Sequence, residues 1–331
     1  METNVSSVVV GKISVSQLNT FSSCQRKWFF SRTNNFKTNI NFMFGSAYHK
    51  SLEALKFKYV EEAMLEGVLY LKEHGFIELL QSNYDAELYS KDEIIEMANN
   101  DFKKWQSLLE NMVERYNKFI NDNGFKIHMS EIELNYMINK EIRLQCFIDR
   151  ILEKDGKYYL EESKSGRDVN LSHVPIDFQA GVYITIAEKV LDIPIEGLVY
   201  TKNKKSIPNA PKVLKSGALS TDKSQSTTYE LYMDMAKSIY GDNIPDEVLV
   251  CAEEIFNKKG YFDYRFLTKN KEQKTAILNQ LKLKGKELVK AQKILSTNEK
   301  KAFSGCSANY SKDCIAMCDY YNDCMKADGS I

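Results

Sequence analysis

The stretch Cys146–Gly166 constrains the fold of this chain more than any other part of it. Asp155-Gly156 is a typical two-residue hairpin turn that follows an apolar strand, Ile148–Leu152. The strand after the turn runs into Glu162 and Lys164, which point to the same side because side chains alternate along a strand. The sequence therefore predicts an antiparallel hairpin whose second strand ends in paired opposite charges.

Asp149 lies inside the apolar first strand, one strand away from Glu162 and Lys164. Two carboxylates and a lysine at one point are costly unless a cation or a charged substrate is present. Carboxylate oxygens suit Mg²⁺ or Mn²⁺, and a lysine beside them is suited to orienting the attacking water and offsetting phosphate charge. The alternative is a solvated hairpin with salt-bridged ends.

The 331 residues suffice for one large domain, or for a core with a helical insertion. The 45 basic and 45 acidic residues cancel, but they are spread unevenly. Residues 51–96 hold 11 acids against 4 lysines, whereas residues 258–301 hold 13 basic residues against 4 acids. This asymmetry favours a bipolar molecule with one basic face toward phosphates. The alternative is a set of ordinary helices whose solvent-exposed faces carry an excess of one charge.

No run approaches the ~20 apolar residues needed to span a bilayer. The first residues also lack the basic and apolar regions of a signal peptide. We therefore expect a cytoplasmic protein without membrane contact. In that compartment the seven cysteines are expected to be thiols or metal ligands rather than disulfides.

Helical periodicity dominates the first third of the chain. It predicts a helix over Ile13–Phe30 with Cys24 in its middle, where the thiol taken alone is read as buried. A second predicted helix, within Phe42–Tyr59, carries His49 on its first turn. Residues 50–122 are predicted to be mostly helical.

A helix over Pro175–Leu191 places Gln179 and Tyr183 together at i and i+4. Residues 202–228 are rich in Lys, Ser, Pro and Thr, which predicts a basic, mobile loop able to contact phosphates. The remaining predicted elements are strands over Lys126–Met137, Pro194–Tyr200 and Tyr261–Leu267 and helices over Tyr229–Tyr240, Pro245–Asn257 and Gln273–Leu295.

Cys314, Cys318 and Cys324 form a C-x3-C-x5-C pattern near the end of the chain. A closed zinc site and a [4Fe–4S] cluster each need four ligands, so these three thiols need a fourth. Cys306 can supply it within the same segment as a local zinc site, and a group of reduced cysteines is a further alternative.

Asp149 followed by Glu162-Ser163-Lys164 resembles the metal motif of PD-(D/E)XK nucleases. Other motifs, in the same order along the chain, resemble the RecB-like branch that carries an iron–sulfur cluster, as in AddB nuclease domains and CRISPR-associated adaptation nucleases. Two positions depart from that pattern: Gln25 replaces a proline, and one residue is added after Cys314. The motifs that carry the resemblance are Cys24, Gly45 with His49, Gln179 with Tyr183, and the three tail cysteines.

The resemblance implies an α/β fold, in which helices flank a central mixed β-sheet of restriction-endonuclease type. Residues 1–331 would form a single nuclease domain, with a helical insertion at 50–122 and a catalytic core at 126–200. The cysteine cluster segment, 306–324, would be joined to Cys24 by a [4Fe–4S] cluster that staples the domain closed.

The resemblance also implies the roles of single residues. His49, Asp149, Glu162 and the Ser163 carbonyl would bind Mg²⁺ or Mn²⁺, and Lys164 would position the attacking water. Gln179 and Tyr183 would hold the DNA strand, and Cys24, Cys314, Cys318 and Cys324 would ligate the cluster.

The implied activity is metal-dependent hydrolysis of DNA phosphodiesters, by an exonuclease acting on ends or single strands in recombination, repair or replication. The sequence has no Walker A loop of its own, so any unwinding must come from another protein, such as a helicase or recombinase partner. Two alternatives stay open: a DNA-binding recombination partner that keeps the fold without catalysis, and a structural zinc protein.

Overall fold

A computed structural model describes residues 11–34, 39–257, 260–311, 314–315 and 318–327. Its centre is a mixed sheet of six strands covered by helices on both faces, so the predicted α/β class is confirmed. The strands are β1 (Gly11–Ser14), β2 (Lys126–Asn139), β3 (Ile142–Lys154), β4 (Lys157–Gly166), β5 (Ile195–Lys204) and β6 (Phe262–Leu267).

Strand β3 is the axis of the sheet. Antiparallel β2 pairs with it along almost its whole length, so β1 and β4 must share its other edge. β1 pairs in parallel with Ile142–Gln145, and β4 pairs antiparallel with Arg150–Lys154. An interval of β3, residues 146–149, therefore has neither neighbour on that edge. Beyond β4 the sheet continues with parallel β5 and antiparallel β6.

The helices divide between the two faces of the sheet because neighbouring strand residues alternate between them. Leu198 packs in the core formed with α1, α7 and α10, whereas Val199 packs in the core formed with α3 to α6. The helices are α1 (Val15–Ser23), α2 (Gln25–Thr33), α3 (Ile40–Ala54), α4 (Val60–Glu73), α5 (Phe76–Gln81), α6 (Lys91–Asp122), α7 (Phe178–Val190), α8 (Tyr229–Tyr240), α9 (Asp246–Asn257), α10 (Lys271–Thr297), α11 (Glu299–Ser304) and α12 (Tyr321–Ala327), with a 3-10 turn at Val174–Ile176.

The predicted helix over Ile13–Phe30 is wrong in two respects. Its first residues form β1, and the helix is broken at Cys24, whose backbone is extended (φ −161°, ψ 117°). The Cys24 Sγ accepts the Lys27 N–H at 3.5 Å and so caps α2. Residues 205–228, the greater part of the predicted basic loop, are irregular, and Leu219 within them is buried against α8 and α9.

Within the part of the chain that is described, no helix is both long and apolar enough to cross a membrane.

Gly67 on α4 provides a test of how α3 and α4 pack. A side chain there would meet Ser51 and the Ala47 carbonyl oxygen, the latter 2.8 Å from an added Cβ. Gly67→Val should lower the free energy of unfolding by about 2–3 kcal/mol in urea titrations, because the crowded atoms include backbone. Leu65→Ala, on the exposed side of the same helix, should change it by less than about 0.5 kcal/mol. Equal effects of both variants would contradict this packing.

Candidate active site

The site lies where β3 and β4 separate. The last paired residues before the gap are Arg150 and Glu161, and the same register places Asp149 opposite Glu162. Asp149 has the parity of Ile151, and Glu162 that of Leu160, and both of these pack in the core on the α7 face. The two acidic side chains thus share one face of the sheet at its local opening.

His49 approaches Asp149 from α3. Its Nδ1 lies 3.5 Å from the Asp149 Oδ1, and both side chains are only partly exposed. The other oxygen, Oδ2, accepts the Ser163 N–H at 2.8 Å. Asp149 is therefore fixed by β4 on one side and faces an imidazole on the other.

Glu162 is almost wholly buried and is held by groups from β4 and α7. Lys164 forms an ion pair with its Oε1, and the Gln179 Nε2 donates to the same oxygen at 3.0 Å. Gln179 also lies 2.9 Å from the Tyr183 hydroxyl, and Asn19 on α1 donates to its Oε1 at 3.4 Å. The predicted site residues thus form two sets of contacts, one of His49, Asp149 and Ser163 and one of Glu162, Lys164, Gln179 and Tyr183.

The electrostatics of the site show an excess of negative charge. Burial, and then the charge of Asp149, raise the pKa of Glu162 to about 7, although Lys164 opposes this. Burial works against the charge of Lys164, but Glu162 and Asp149 outweigh it and raise its pKa. Burial lowers the pKa of His49, which keeps the imidazole neutral and able to act as a ligand. A cation would relieve the repulsion between the two carboxylates.

The donor set fits a hard divalent cation, since it offers two carboxylates, a neutral imidazole and backbone oxygen. The side chains are not gathered around a single point, however. Among the described residues, no three His, Cys, Asp or Glu side chains stand close enough together to hold a metal ion. The Glu162 Oε1 is already held by Lys164 and Gln179.

Directly behind the site, on the other face of the sheet, lies a buried ion pair that the sequence analysis did not identify. The Arg150 Nε lies 2.6 Å from the Glu161 Oε2, and the two side chains are 1% and 0% exposed. The Tyr116 hydroxyl donates to the same oxygen at 2.6 Å, and Thr201 donates to the other at 3.0 Å. The signal was present in the sequence, because each charged partner adjoins a site carboxylate, Asp149 or Glu162.

The predicted cluster cysteines line one cavity between α2 and the tail. Its water-accessible volume is about 20 Å³, room for one water molecule, and the described residues that line it include no carboxylate. The Arg26 Nη1 lies 3.7 Å from the Cys324 Sγ. The thiols surround the cavity without converging on one point. Cys306 is buried and outside this lining, which consists of Cys24, Cys314, Cys318 and Cys324 with neighbouring aromatic and basic residues.

Comparison with known proteins gives one family. The sequence model of the PD-(D/E)XK nuclease superfamily matches residues 12–324, nearly the whole chain. No curated protein matches the chain significantly. A solved structure described as "Crystal structure of SSO0001" is 12% identical, covers 54% of this chain and 69% of its own, and has a TM-score of 0.20.

Removing one member of the buried Arg150–Glu161 pair should be costly. Glu161→Gln leaves the arginine charge unpaired in the interior and should lower the free energy of unfolding by about 3–5 kcal/mol. The double variant Arg150→Met, Glu161→Leu should recover most of that loss, because neither charge is then buried. Urea titrations of Arg150→Met, of Glu161→Leu and of the double variant form a double-mutant cycle. Additive effects in that cycle would show that the pair is not coupled.

Proposed function

The chain belongs to the PD-(D/E)XK nuclease superfamily, and on that premise we propose that it is a metal-dependent DNA nuclease of the RecB-like branch. The single observation that supports this most is the placement of Asp149, Glu162 and Lys164 at the opening between β3 and β4, with His49 beside Asp149. An exonuclease acting on DNA ends or single strands is the form of activity that we propose.

Asp149 and Glu162, with His49 and the Ser163 carbonyl, would hold Mg²⁺ or Mn²⁺. When bound, such an ion lowers the pKa of a coordinated water and neutralises charge on the phosphate. The Ser163 N–H already fixes one oxygen of Asp149, which leaves Oδ1 on the side of His49 for the ion. The protein thereby orients this ligand before the ion binds.

Lys164 would orient the attacking water and offset charge on the phosphate. Its side chain is 43% exposed although its ammonium group pairs with buried Glu162. Lys164 therefore lies between the proposed metal ligand Glu162 and the solvent. Its raised pKa keeps it cationic, which suits charge stabilisation better than proton abstraction. Gln179 and Tyr183, joined by a hydrogen bond on α7, would contact the DNA strand beside the scissile phosphate.

Asp149→Asn and Lys164→Gln should each reduce cleavage of end-labelled DNA in Mg²⁺ or Mn²⁺ by roughly 10²–10³-fold or more, the cost of losing one transition-state charge stabiliser. Matched controls lie in the same hairpin: Asp155→Asn in the turn and Lys157→Gln at the start of β4 should retain full activity. Circular dichroism should show unchanged folding in all four variants.

Full cleavage by Asp149→Asn would rule out this site. DNA binding by the wild type without any cleavage, in either metal, would instead favour a recombination partner that keeps the fold without catalysis.

We also propose a [4Fe–4S] cluster bound by Cys24, Cys314, Cys318 and Cys324. The support is that these thiols line one cavity together with Arg26 and Lys27, whose charges offset those of thiolates. Such a cluster would join α2 to the tail. The present cavity is too small for a cluster, so the thiols must move when a cluster binds.

Anaerobically purified protein should be brown, absorb near ~400 nm and contain about four irons per chain if a thiolate-bound cluster is present. Cys24→Ala should lose the absorbance, whereas Cys251→Ala, in the separate α8–α9 core, should keep it. A colourless protein with one zinc would show that Cys24 and the tail cysteines do not share a cluster. It would favour a local zinc site that includes Cys306.

A further inference from the structure

We infer that Tyr200 and Arg265 form a subsite that binds the phosphate of a nucleotide neighbouring the scissile phosphodiester. This inference rests on the proposed nuclease function, because it concerns the path that the DNA strand takes away from Glu162 and Lys164. The sheet register brings this pair into one row with Glu162.

The register of three strands defines the row. Glu162 on β4 pairs with Tyr200 on β5, and Tyr200 pairs with Arg265 on β6. Directly paired residues project from the same face of a sheet, and neighbouring strands lie roughly 5 Å apart. Arg265 therefore begins about 10 Å from the metal ligand Glu162, on the same face.

Tyr200 occupies the middle of this row. Its ring is buried and packs edge-on against His173 at 5.8 Å between ring centroids, which fixes its direction. Among the described residues, its hydroxyl has no hydrogen-bond partner. Burial raises the pKa of Tyr200 to about 12, so the hydroxyl keeps its proton and can donate to a phosphate oxygen.

Arg265 ends the row with a charge that no carboxylate of the described residues neutralises. Its Nη1 makes one long contact, 3.5 Å to the Leu171 carbonyl oxygen, which turns the guanidinium toward the loop before α7. The nearest acid on its own strand, Asp263, accepts the backbone N–H of Tyr264 at 2.9 Å. The neighbouring Lys202 differs, because it is already paired with Asp168.

A phosphate is the ligand that fits such a row. A planar guanidinium presents paired N–H donors that match two phosphate oxygens, and a neutral hydroxyl adds one more donor. A strand whose scissile phosphate lies at Glu162 and Lys164 brings a neighbouring phosphate to Tyr200 and Arg265. These contacts carry no base information, so they position the strand without selecting sequence.

The test measures binding and cleavage separately. Binding of a single-stranded oligonucleotide is titrated against salt in Ca²⁺, which is used to suppress cleavage, for the wild type, Arg265→Gln, Tyr200→Phe and the control Arg143→Gln. Arg143 is exposed on β3, six residues or roughly 20 Å along the strand from Asp149. Cleavage of the same oligonucleotide in Mg²⁺ gives kcat and KM for each variant.

Arg265→Gln should reduce the slope of log K against log salt by about 0.7, the release of counterions from one phosphate of a single strand. It should raise KM roughly 10–100-fold while kcat stays within a few-fold, since a neighbouring phosphate is bound equally in ground and transition states. Tyr200→Phe should raise KM with an unchanged salt slope. Arg143→Gln should match the wild type in all three quantities.

A single methylphosphonate, moved along the oligonucleotide near each end, locates the contact. One position should weaken binding by the wild type about tenfold yet leave Arg265→Gln unaffected. If Arg265→Gln keeps the wild-type slope and KM, the proposed subsite is wrong, whereas the proposed nuclease function is unaffected. If the wild type does not cleave DNA at all, the proposed function fails, and the salt slope still decides whether Arg265 binds phosphate.

Discussion

The buried ion pair between Arg150 and Glu161 is the interaction on which the site depends. It joins β3 to β4 at the last paired position before the strands separate, and it is enclosed by Tyr116 and Thr201. A charged pair in the interior is tolerated only when its geometry and hydrogen bonds are satisfied. Holding both strands at this point sets where Asp149 and Glu162, the next residue on each strand, emerge on the opposite face.

The opposite face of the same strands carries charges that are incompletely balanced. Lys164 and Gln179 hold Glu162, and the Ser163 N–H holds Asp149, yet the repulsion between the two carboxylates persists. Burial raises the cost of this arrangement, because it removes the water that would screen it. The sheet thus separates a pair of opposite charges on one side from a pair of like charges on the other, and the second is suited to a cation.

The cysteine cavity and the row through Tyr200 lie beyond these two groups of charges but depend on the same sheet. β1 pairs with the edge of β3 that carries the site, and α1 begins directly after β1. Cys24 follows α1, so the same edge also positions this cysteine. Tyr200 and Arg265 continue the face of Glu162 across β5 and β6. A single sheet therefore relates the proposed metal ligands, the tail and the proposed path of the DNA strand.

The sequence by itself determined the local features. The hairpin at Asp155-Gly156, the shared side of Glu162 and Lys164, and the adjacency of Gln179 and Tyr183 follow from turn chemistry and from side-chain periodicity, which act within a few residues. The mixed sheet and the superfamily were also predicted correctly, through the resemblance of spaced motifs.

Only the tertiary structure decided the rest. It placed His49 beside Asp149 across a hundred residues of chain and paired Tyr200 with Arg265. Neither contact has a period or a turn signal, because each depends on which elements become neighbours and, for the strands, in what register. Strand order and register are set by burial of the whole sheet, which no local stretch of sequence contains.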